Sequence, residues 1–447
     1  MANKHLDEAR ADAISAMRPV LHDCGSLSAV LVDDLFGRIS AYVWALEGDR
    51  RRLAQQVAAA LQENCAQFWT GTVDVSNVND PSAEDDLFRR TAWNEGIVID
   101  GLPHLRVNDR HRHHSAWFIP AAEERLWPPG PGRGQIIAFH GFKGGAGRTT
   151  LLAGYALACA RRGQRVAVVD MDLDAPGIGL LLAADEAGTI ARWGTVDYLL
   201  ESIHDLPLDD YFHVCADQRL TGAGRIEVFP AGRLDDTYLS KLSRVELELR
   251  TSISAHPLAT MLRAVHEQLR PDVILLDGRA GLSPAAGLLL SGIAHLHVLV
   301  ATSNVQSLAG LERVVRHLGF EQALHGLPQH ECVVVQAHVP DDSEVGRIAR
   351  ATFDAQVEAM FRNGYYARTR SEEDDTWSLD DLGSQVAPHV PVPISYRGRL
   401  AHFTSIHDVV DLLVGDPDHV ALHARIDERL ARPAEVSVSS ESDEVDA

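Results

Sequence analysis

The sequence predicts a doubly wound α/β domain with a mostly parallel sheet, preceded by a small α+β module. From about residue 135, apolar runs such as QIIAFH, RVAVVD and DVILLD alternate with helical segments. The runs are continuous in Val, Ile and Leu, which is typical of parallel strands covered on both faces. A glycine-rich loop, residues 140–150, joins the first of these strands to the first helix.

Residues 1–126 are predicted to form the α+β module. ISAYVWAL and FWTGTVDV are apolar and β-branched enough for two strands. Between them, DRRRLAQQVAAALQENC places four apolar residues on one face of a helix: Leu53, Val57, Leu61 and Cys65. IVIDGLPHLRV is predicted to be a hairpin with Gly101 and Pro103 in its turn. Nothing in these residues indicates what the module does.

Composition shifts divide the rest of the chain. Residues 127–134, WPPGPGRG, are predicted to be a linker, because proline and glycine continue neither helix nor strand. The α/β domain is predicted to span residues 135–415. Residues 341–390 interrupt its pattern with a helix and an acidic stretch, which predicts a surface insertion. Residues 416–447 are predicted to form a charged helix and an acidic disordered tail.

Charge and cysteine content restrict the possible partners and compartment. The chain of 447 residues has a formal net charge of −22, which disfavours DNA and anionic lipid unless basic residues gather on one face. The first residues do not form a secretory signal, and no uncharged run is long enough for a membrane helix. Five scattered cysteines without a C-x-x-C pair are typical of reduced thiols. We therefore expect a cytoplasmic protein that does not bind membranes.

The glycine-rich loop, HGFKGGAGRTT, has the composition of a phosphate-binding loop. Glycines let the backbone N–H groups approach a phosphate closely, and the N-terminus of the following helix favours anions. The hydroxyl of Thr149 stands where Mg²⁺ would be coordinated. The opposite interpretation, a glycine-rich turn that binds nothing, is disfavoured because strand, loop, Thr-Thr pair and helix occur in the required order.

The segment KGGAGRTT, residues 143–150, resembles the deviant Walker A motif KGGxGKTT of the ParA/MinD family of P-loop ATPases. VAVVDMD is similar to the second strand of that family, which ends in Asp-x-Asp, and DVILLDGRAG resembles its Walker B strand. HLHVLVATSNVQSLAGLERVV and VPVPISYRGRLAHFTS are similar to later segments. The resemblance covers about residues 135–415.

The resemblance implies a role for each matching residue. The phosphates of ATP would be bound by residues of the loop: Gly144, Gly145, Ala146, Gly147, Arg148, Thr149 and Thr150. Lys143 would reach the phosphates of the second subunit of a homodimer. The Mg²⁺ site would be formed by Thr149, Asp172 and Asp277, of which Asp172 also orients the attacking water. Lys143, Arg148 and Asp172 are therefore the implied catalytic residues.

Three positions differ from the family pattern. Arg148 replaces the second lysine of the motif and keeps its charge, but on a longer, planar group. It predicts that ATP binds and is hydrolysed slowly or not at all. Arg279 replaces a proline after the Walker B strand, and a surface role is favoured over that of an extra cation. Gln336 stands where the family often has an asparagine that contacts the base, and its amide favours adenine.

The sequence leaves several functional interpretations open. The first is an ATP- and Mg²⁺-dependent dimerising switch that gates the binding of a partner protein. The alternatives are a non-hydrolysing nucleotide-binding scaffold and an ATPase that partitions DNA or other cargo. An iron–sulfur scaffold is disfavoured by the missing C-x-x-C. The HRHH segment at residues 111–114 is interpreted as a solvated loop, because adjacent histidines point in different directions.

Overall fold

The computed structural model describes residues 4–23, 28–34, 36–45, 50–77, 83–110, 117, 126–128, 134–182, 193–204, 206–215, 217–247, 253–321, 323, 329–340, 343–367 and 377–431. The chain divides into two compact units, Met1–His114 and Ser115–Ala447. In the described part of the chain, no helix combines the length and the apolar character needed to span a bilayer.

The first unit is a five-stranded mixed sheet with helices on both faces. Its elements are α1 (Leu6–Asp23), β1 (Ser28–Asp33), β2 (Ile39–Ala45), α2 (Arg50–Cys65), β3 (Trp69–Asn77), α3 (Ala83–Glu95), β4 (Ile97–Ile99) and β5 (Leu102–Asp109). The strand order is β3-β2-β1-β5-β4. Strand β1 is antiparallel to β2 and parallel to β5. Because side chains alternate along a strand, Leu31 of β1 joins the core under α1 and α2, while Val30 and Val32 face Ala92 of α3.

The predicted elements of the module are present, and three others were missed. The four apolar residues predicted to share one face of α2 are all buried. The hairpin is formed by β4 and β5, but Pro103 lies within β5 rather than in the turn. Gly101 occupies the turn with φ +75°, a conformation that favours glycine. Strand β1 has four contiguous apolar residues, 29–32, and helix α1 has Ala9, Ala13 and Met17 at a spacing of four, so the sequence did contain a signal for both, whereas the charged helix α3 offered little.

The second unit is built on an eight-stranded sheet. Its elements are β6 (Gln135–His140), α4 (Arg148–Arg161), β7 (Arg165–Met171), α5 (Ile178–Leu182), α6 (Thr195–Glu201), β8 (His213–Cys215), α7 (Gln218–Thr221), β9 (Arg225–Phe229), α8 (Tyr238–Leu242), α9 (Pro257–Ala264), β10 (Val273–Gly278), α10 (Pro284–Leu289), β11 (Leu296–Ala301), α11 (Val305–Arg316), β12 (Cys332–Val339), α12 (Glu344–Gly364), β13 (Val392–Ser395), α13 (Gly398–Ala401), α14 (Val410–Gly415) and α15 (Pro417–Ala431).

The sheet order is β13-β12-β11-β6-β10-β7-β9-β8, and only β8 runs antiparallel to its neighbour. Helices α4, α14 and α15 cover one face, where they pack on Ile137 and Phe139 of β6. Helices α9 and α10 cover the other face, against Ile136 and Ala138. The doubly wound, mostly parallel sheet predicted from the continuous apolar runs is therefore confirmed.

The prediction that residues 341–390 lie on the surface is wrong for helix α12. Phe353, Val357 and Phe361 of this helix are almost fully buried against α11 and β12. The helix is the crossover between the parallel strands β12 and β13, so it forms part of the layer that covers the sheet. Most of the acidic stretch, residues 368–376, lies outside the described residues, as do the HRHH segment and the tail from residue 432 onward.

The predicted linker is described only at residues 127, 128 and 134. There, the ring of Trp127 stacks on His266 with 4.2 Å between ring centroids, and its Nε1 donates to the carbonyl of Gly134 at 3.3 Å. An aromatic contact and a hydrogen bond within the second unit therefore hold the segment that leads into β6.

Candidate functional site

The candidate site lies where strands β6, β10 and β7 end side by side. Asp277 of β10 pairs in register with Phe139 of β6 and with Asp170 of β7. Parallel strands bring their carboxyl ends to one edge, and ligands of open α/β sheets bind outside that edge. The glycine loop, residues 141–147, leaves β6 at this edge and enters helix α4.

The loop presents its backbone to open space. Gly145 and Gly147 have φ values of +79° and +85°, which a residue with a side chain rarely adopts. A Cβ atom added at Gly144, Gly145 or Gly147 would meet no atom within 4 Å. Gly147 precedes the first residue of α4 and has no side chain that could cap the helix. The first amides of α4 are therefore left for an anion, as a phosphate site requires.

Three contacts fix the front of the loop. The N–H of Gly281, in the loop after β10, donates to the carbonyl of Gly141 at 3.1 Å. A Cβ at Gly141 would lie 2.9 Å from the carbonyl oxygen of Val300 in β11. The ring of Phe142 lies against Gly310 of α11, where a Cβ would come within 1.9 Å of it. The loop is thus held by the two strands that flank β6 and by α11.

Arg148, the first residue of α4, bridges two of the predicted carboxylates. Its Nε donates to Oδ1 of Asp277 at 2.9 Å, and its Nη2 donates to Oδ2 of Asp172 at 2.7 Å. The hydroxyl of Thr149 donates to Oδ2 of Asp277 at 2.8 Å. The structure therefore brings four of the predicted site residues into one hydrogen-bonded group, in which the guanidinium lies on the carboxylates.

Burial dominates the electrostatics of this group. Burial raises the pKa of Asp277. The charge of Arg148 and the hydrogen bond from Thr149 act in the opposite direction and offset part of that rise. Asp170 is fully buried, and burial together with the charge of Asp277 holds its pKa well above the usual range. Burial, followed by the positive charge of Arg148, lowers the pKa of His140 to about 3. The edge thus contains more buried carboxylates than cations.

Lys143, by contrast, is exposed on the open side of the loop. None of the described residues is found hydrogen-bonded or ion-paired to its ammonium group. Thr150 lies in the first turn of α4 and is half-buried. The two cations of the loop are therefore placed differently, since Arg148 points into the protein and Lys143 points out.

Gln336, the predicted base contact, is buried in β12. Its Nε2 donates to the hydroxyl of Ser303 at 3.0 Å, and its Oε1 is buried with no hydrogen-bond partner in the described part of the chain. It pairs in register with Ala301, so it lies at the same edge of the sheet. One strand, β11, lies between β12 and β6, and Gln336 makes no hydrogen bond to the loop among the described residues.

Two features on the β9 side of the site, a cavity and the role of Asp170, were not predicted from the sequence. A cavity of about 240 Å³ lies beside Asp170 and is lined by Gly177, Pro230 and other residues of the loops after β7 and β9. Asp170 accepts hydrogen bonds from the N–H groups of Asp172 at 3.1 Å and Gly177 at 3.2 Å, so it orders the loop that carries Asp172. Its position in the Asp-x-Asp pair was the only available signal.

Arg279, predicted as a surface residue, is half-exposed and forms an ion pair with Asp174. Asp174 lies in the loop after β7, and Arg279 lies in the loop after β10. The pair therefore joins, at the surface, the two loops that follow the site carboxylates.

The donor set suits a magnesium ion only in part. A hydroxyl and two carboxylates are the hard oxygen ligands that Mg²⁺ prefers, and Oδ1 of Asp172 is buried with no partner in the described residues. No group of three or more His, Cys, Asp or Glu side chains within the described ranges is arranged to hold a metal by itself. The ion would thus need phosphate oxygens as well, and Arg148 would have to leave Asp172 and Asp277.

Comparison with known proteins gives a match in sequence and several in structure. Residues 137–348 match the family model of the CobQ/CobB/MinD/ParA nucleotide binding domain. No curated protein matches the chain. Among solved structures, the ATP complex of McdA from Cyanothece is 14% identical, covering 68% of this chain and 99% of that one, with a TM-score of 0.44. The cell division ATPase MinD of Pyrococcus furiosus is 19% identical, covering 66% and 99%, with a TM-score of 0.40.

Proposed function

Residues 137–348 belong to the CobQ/CobB/MinD/ParA family of nucleotide-binding domains, and we propose from this that the chain is an ATP- and Mg²⁺-dependent molecular switch. It binds ATP at the glycine loop, dimerises around the nucleotide, hydrolyses ATP slowly and thereby gates the binding of a partner protein. The observation that carries the proposal is the open loop at the N-terminus of α4, with Thr149 and Asp277 hydrogen-bonded beside it.

Nucleotide binding is supported by the backbone of the loop. Its left-handed glycines turn peptide groups toward open space, and the uncapped amides of α4 add a partial positive charge. The β-phosphate would lie in this cradle, with Thr150 near the α-phosphate. Mg²⁺, when bound with ATP, supplies positive charge beside the β- and γ-phosphate oxygens. Thr149 and Asp277 are the residues that would hold it, with Asp172 adjacent.

Dimerisation is supported by the position of Lys143. An exposed ammonium group on the open side of a phosphate loop is available to a second subunit, and the family resemblance gives this lysine that role. A nucleotide between two subunits would then be neutralised from both sides. Because the loops after β7 and β10 would contact the γ-phosphate, their order would depend on whether ATP or ADP is bound.

Slow hydrolysis is the expectation that follows from Asp172. To aim a water molecule at the γ-phosphate, this carboxylate must be free of other strong partners. Arg148 donates to it at 2.7 Å, so the guanidinium has to leave Asp172 before hydrolysis, and incomplete release slows the reaction. The same observation favours a second candidate function, a switch that binds ATP and does not hydrolyse it. Phosphate release by the wild type and by the Arg148→Lys variant distinguishes the two, because a silent wild type with an active lysine variant would support the second.

Calorimetry with ATP, ADP and GTP in Mg²⁺, together with light scattering for the oligomeric state, tests the proposal. We expect the wild type to bind ATP and to dimerise in ATP but not in ADP. Asp172→Ala should accumulate the ATP dimer, while Lys143→Ala should bind ATP and stay monomeric. Absence of binding heat with every nucleotide would overturn the proposal, and so would variants that dimerise as the wild type does.

A further inference from the structure

We propose that Arg148 keeps free divalent cations out of the site, so that the metal enters only together with the nucleotide. The guanidinium then exchanges the two carboxylates for the phosphates of the nucleotide as its hydrogen-bond acceptors. The inference deepens the proposed function and rests on it for the second half of the exchange. Arg148 is then the residue that sets the order of binding. In the nucleotide-free protein it occupies the cation position between Asp172 and Asp277.

The geometry leaves little of the two carboxylates for a metal. Arg148 takes Oδ1 of Asp277 and Oδ2 of Asp172, and Thr149 takes Oδ2 of Asp277. Oδ1 of Asp172 is the one of these four oxygens with no partner in the described residues. A single oxygen is a poor site for an ion that requires six ligands and gives up its water reluctantly.

The charge balance explains why a cation is needed at this position. The side chains of Arg148, Asp172 and Asp277 are only 10%, 13% and 1% exposed. Asp170 is buried beside them. Removing one charge from a buried ion pair leaves the other uncompensated, which is costly at low dielectric. Without the guanidinium, the carboxylates would therefore have to take up either a proton or another cation from solution.

The shape of arginine suits this role better than that of lysine. The planar guanidinium carries its donors in a fixed fork, so Nε and Nη2 reach two different carboxylates at once. A lysine ammonium is a compact point charge at the end of a flexible stem, without the fixed fork that spans both acceptors. The arginine at this position therefore occupies an oxygen of both carboxylates, whereas a lysine would leave more of their oxygens available to a metal ion.

The phosphates of the nucleotide compete with Asp172 and Asp277 for the guanidinium of Arg148. Arg148 is the first residue of α4, next to the amides where the phosphates would lie. A triphosphate brings several negative charges to that point, so the guanidinium gains a second set of acceptors at the moment when a metal ion becomes available for the carboxylates. The carboxylates of Asp172 and Asp277 stay compensated throughout, because the metal ion replaces the guanidinium as their cation.

Binding of Mn²⁺ to the full chain without nucleotide, followed by electron paramagnetic resonance, tests the inference. The variants are Arg148→Met and Arg148→Lys, and the matched control is Arg279→Met, which removes an arginine that pairs with a carboxylate at the surface of the same edge. We expect Arg148→Met to bind Mn²⁺ at least about tenfold more tightly than the wild type. Arg148→Lys should be intermediate, and Arg279→Met should equal the wild type.

Thermal unfolding with and without Mg²⁺ covers the case in which Arg148→Met folds poorly. A rise in its melting temperature on addition of Mg²⁺, absent from the wild type, supports the inference. Equal Mn²⁺ affinity of wild type and both Arg148 variants would overturn it, even if ATP binds. If the wild type binds no nucleotide but the Arg148 variants bind Mn²⁺ more tightly than the wild type, the proposed function fails while the exclusion of free metal by Arg148 stands.

Discussion

Thr149 donates its hydroxyl hydrogen to Oδ2 of Asp277 over 2.8 Å, which joins the first turn of helix α4 to the end of strand β10. The neighbouring Arg148 donates to the other oxygen of the same carboxylate. Two consecutive residues of the loop–helix junction are therefore held by one buried side chain in the middle of the sheet. Asp277 is a structural anchor of the loop as well as a candidate metal ligand.

Asp277→Asn is expected to lower the free energy of unfolding by roughly 1.5–3 kcal/mol, the range for hydrogen bonds to charged groups. The asparagine keeps one acceptor oxygen and loses the charge, so its bond to Arg148 is weakened and Thr149 can stay bonded only by accepting from the new amide group. Relief of the repulsion with Asp170 offsets part of the loss. Urea unfolding in the absence of nucleotide and metal measures the change.

Asp174→Asn is the matched control for Asp277→Asn. Asp174 forms an ion pair with Arg279 at the same edge, but both side chains are more than two-fifths exposed. Exposed pairs contribute about 0–1 kcal/mol. Equal losses in the two variants would contradict the anchoring role of Asp277.

Gly310→Ala is expected to destabilise the protein by about 1–3 kcal/mol, the usual cost of overpacking. The added methyl would lie 1.9 Å from the ring of Phe142 at the front of the loop. Since Phe142 is adjacent to Lys143, the displaced ring should move the loop as well. Chemical denaturation measures the stability, and hydrogen exchange of the loop amides measures the displacement.

Gly415→Ala and a double variant provide the controls for Gly310→Ala. Gly415 also lies in a helix, and an added Cβ there meets no atom within 4 Å. A change from Gly to Ala at such a position is neutral or stabilises by about 0.4–1 kcal/mol. Once Phe142→Ala has removed the ring, the Gly310→Ala substitution should cost little, so the two substitutions should be strongly non-additive. An equal cost of Gly310→Ala with and without the ring would show that the clash is not the cause.

The parallel strands and the residues that end them could be predicted from sequence because both follow from local composition, whereas the order of the strands in the sheet was not predicted. Continuous apolar runs identify buried parallel strands, and an acidic residue at the end of such a run must lie at the carboxyl edge. The family resemblance assigned Asp172 and Asp277 to the site, and both residues lie at this edge, at or just beyond the end of a strand. The direction of the Arg148 side chain is different, since it depends on partners 24 and 129 residues away.

One wrong prediction and one contact that was not predicted have identifiable physical causes. The acidic stretch that follows α12 suggested a surface segment, yet Phe353, Val357 and Phe361 repeat at the helical spacing of four and indicated a buried face. The contact between Phe142 and Gly310 has no local signal at all. A glycine in a helix is compatible with any neighbour, and only the tertiary structure shows which side chain requires the missing Cβ.

His423 gives the protein a pH-dependent stability that can be measured away from the candidate site. Burial in α15, followed by the charges of His419 and Arg162, lowers its pKa from 6.5 to about 3. The folded chain therefore keeps this histidine neutral, while the unfolded chain takes up a proton below its ordinary pKa. The contribution to stability is complete above pH 6.5 and is lost as the pH falls toward 3.

The His423→Gln variant removes this titration, so the difference in unfolding free energy between wild type and variant should shrink on acidification. The expected slope is about 1.4 kcal/mol per pH unit between about pH 6 and pH 4. Comparing the two proteins at each pH cancels the contributions of all other groups. The exposed His204, replaced by Gln, controls for the loss of a histidine as such. Parallel pH profiles of wild type and His423→Gln would show that burial does not hold the imidazole neutral.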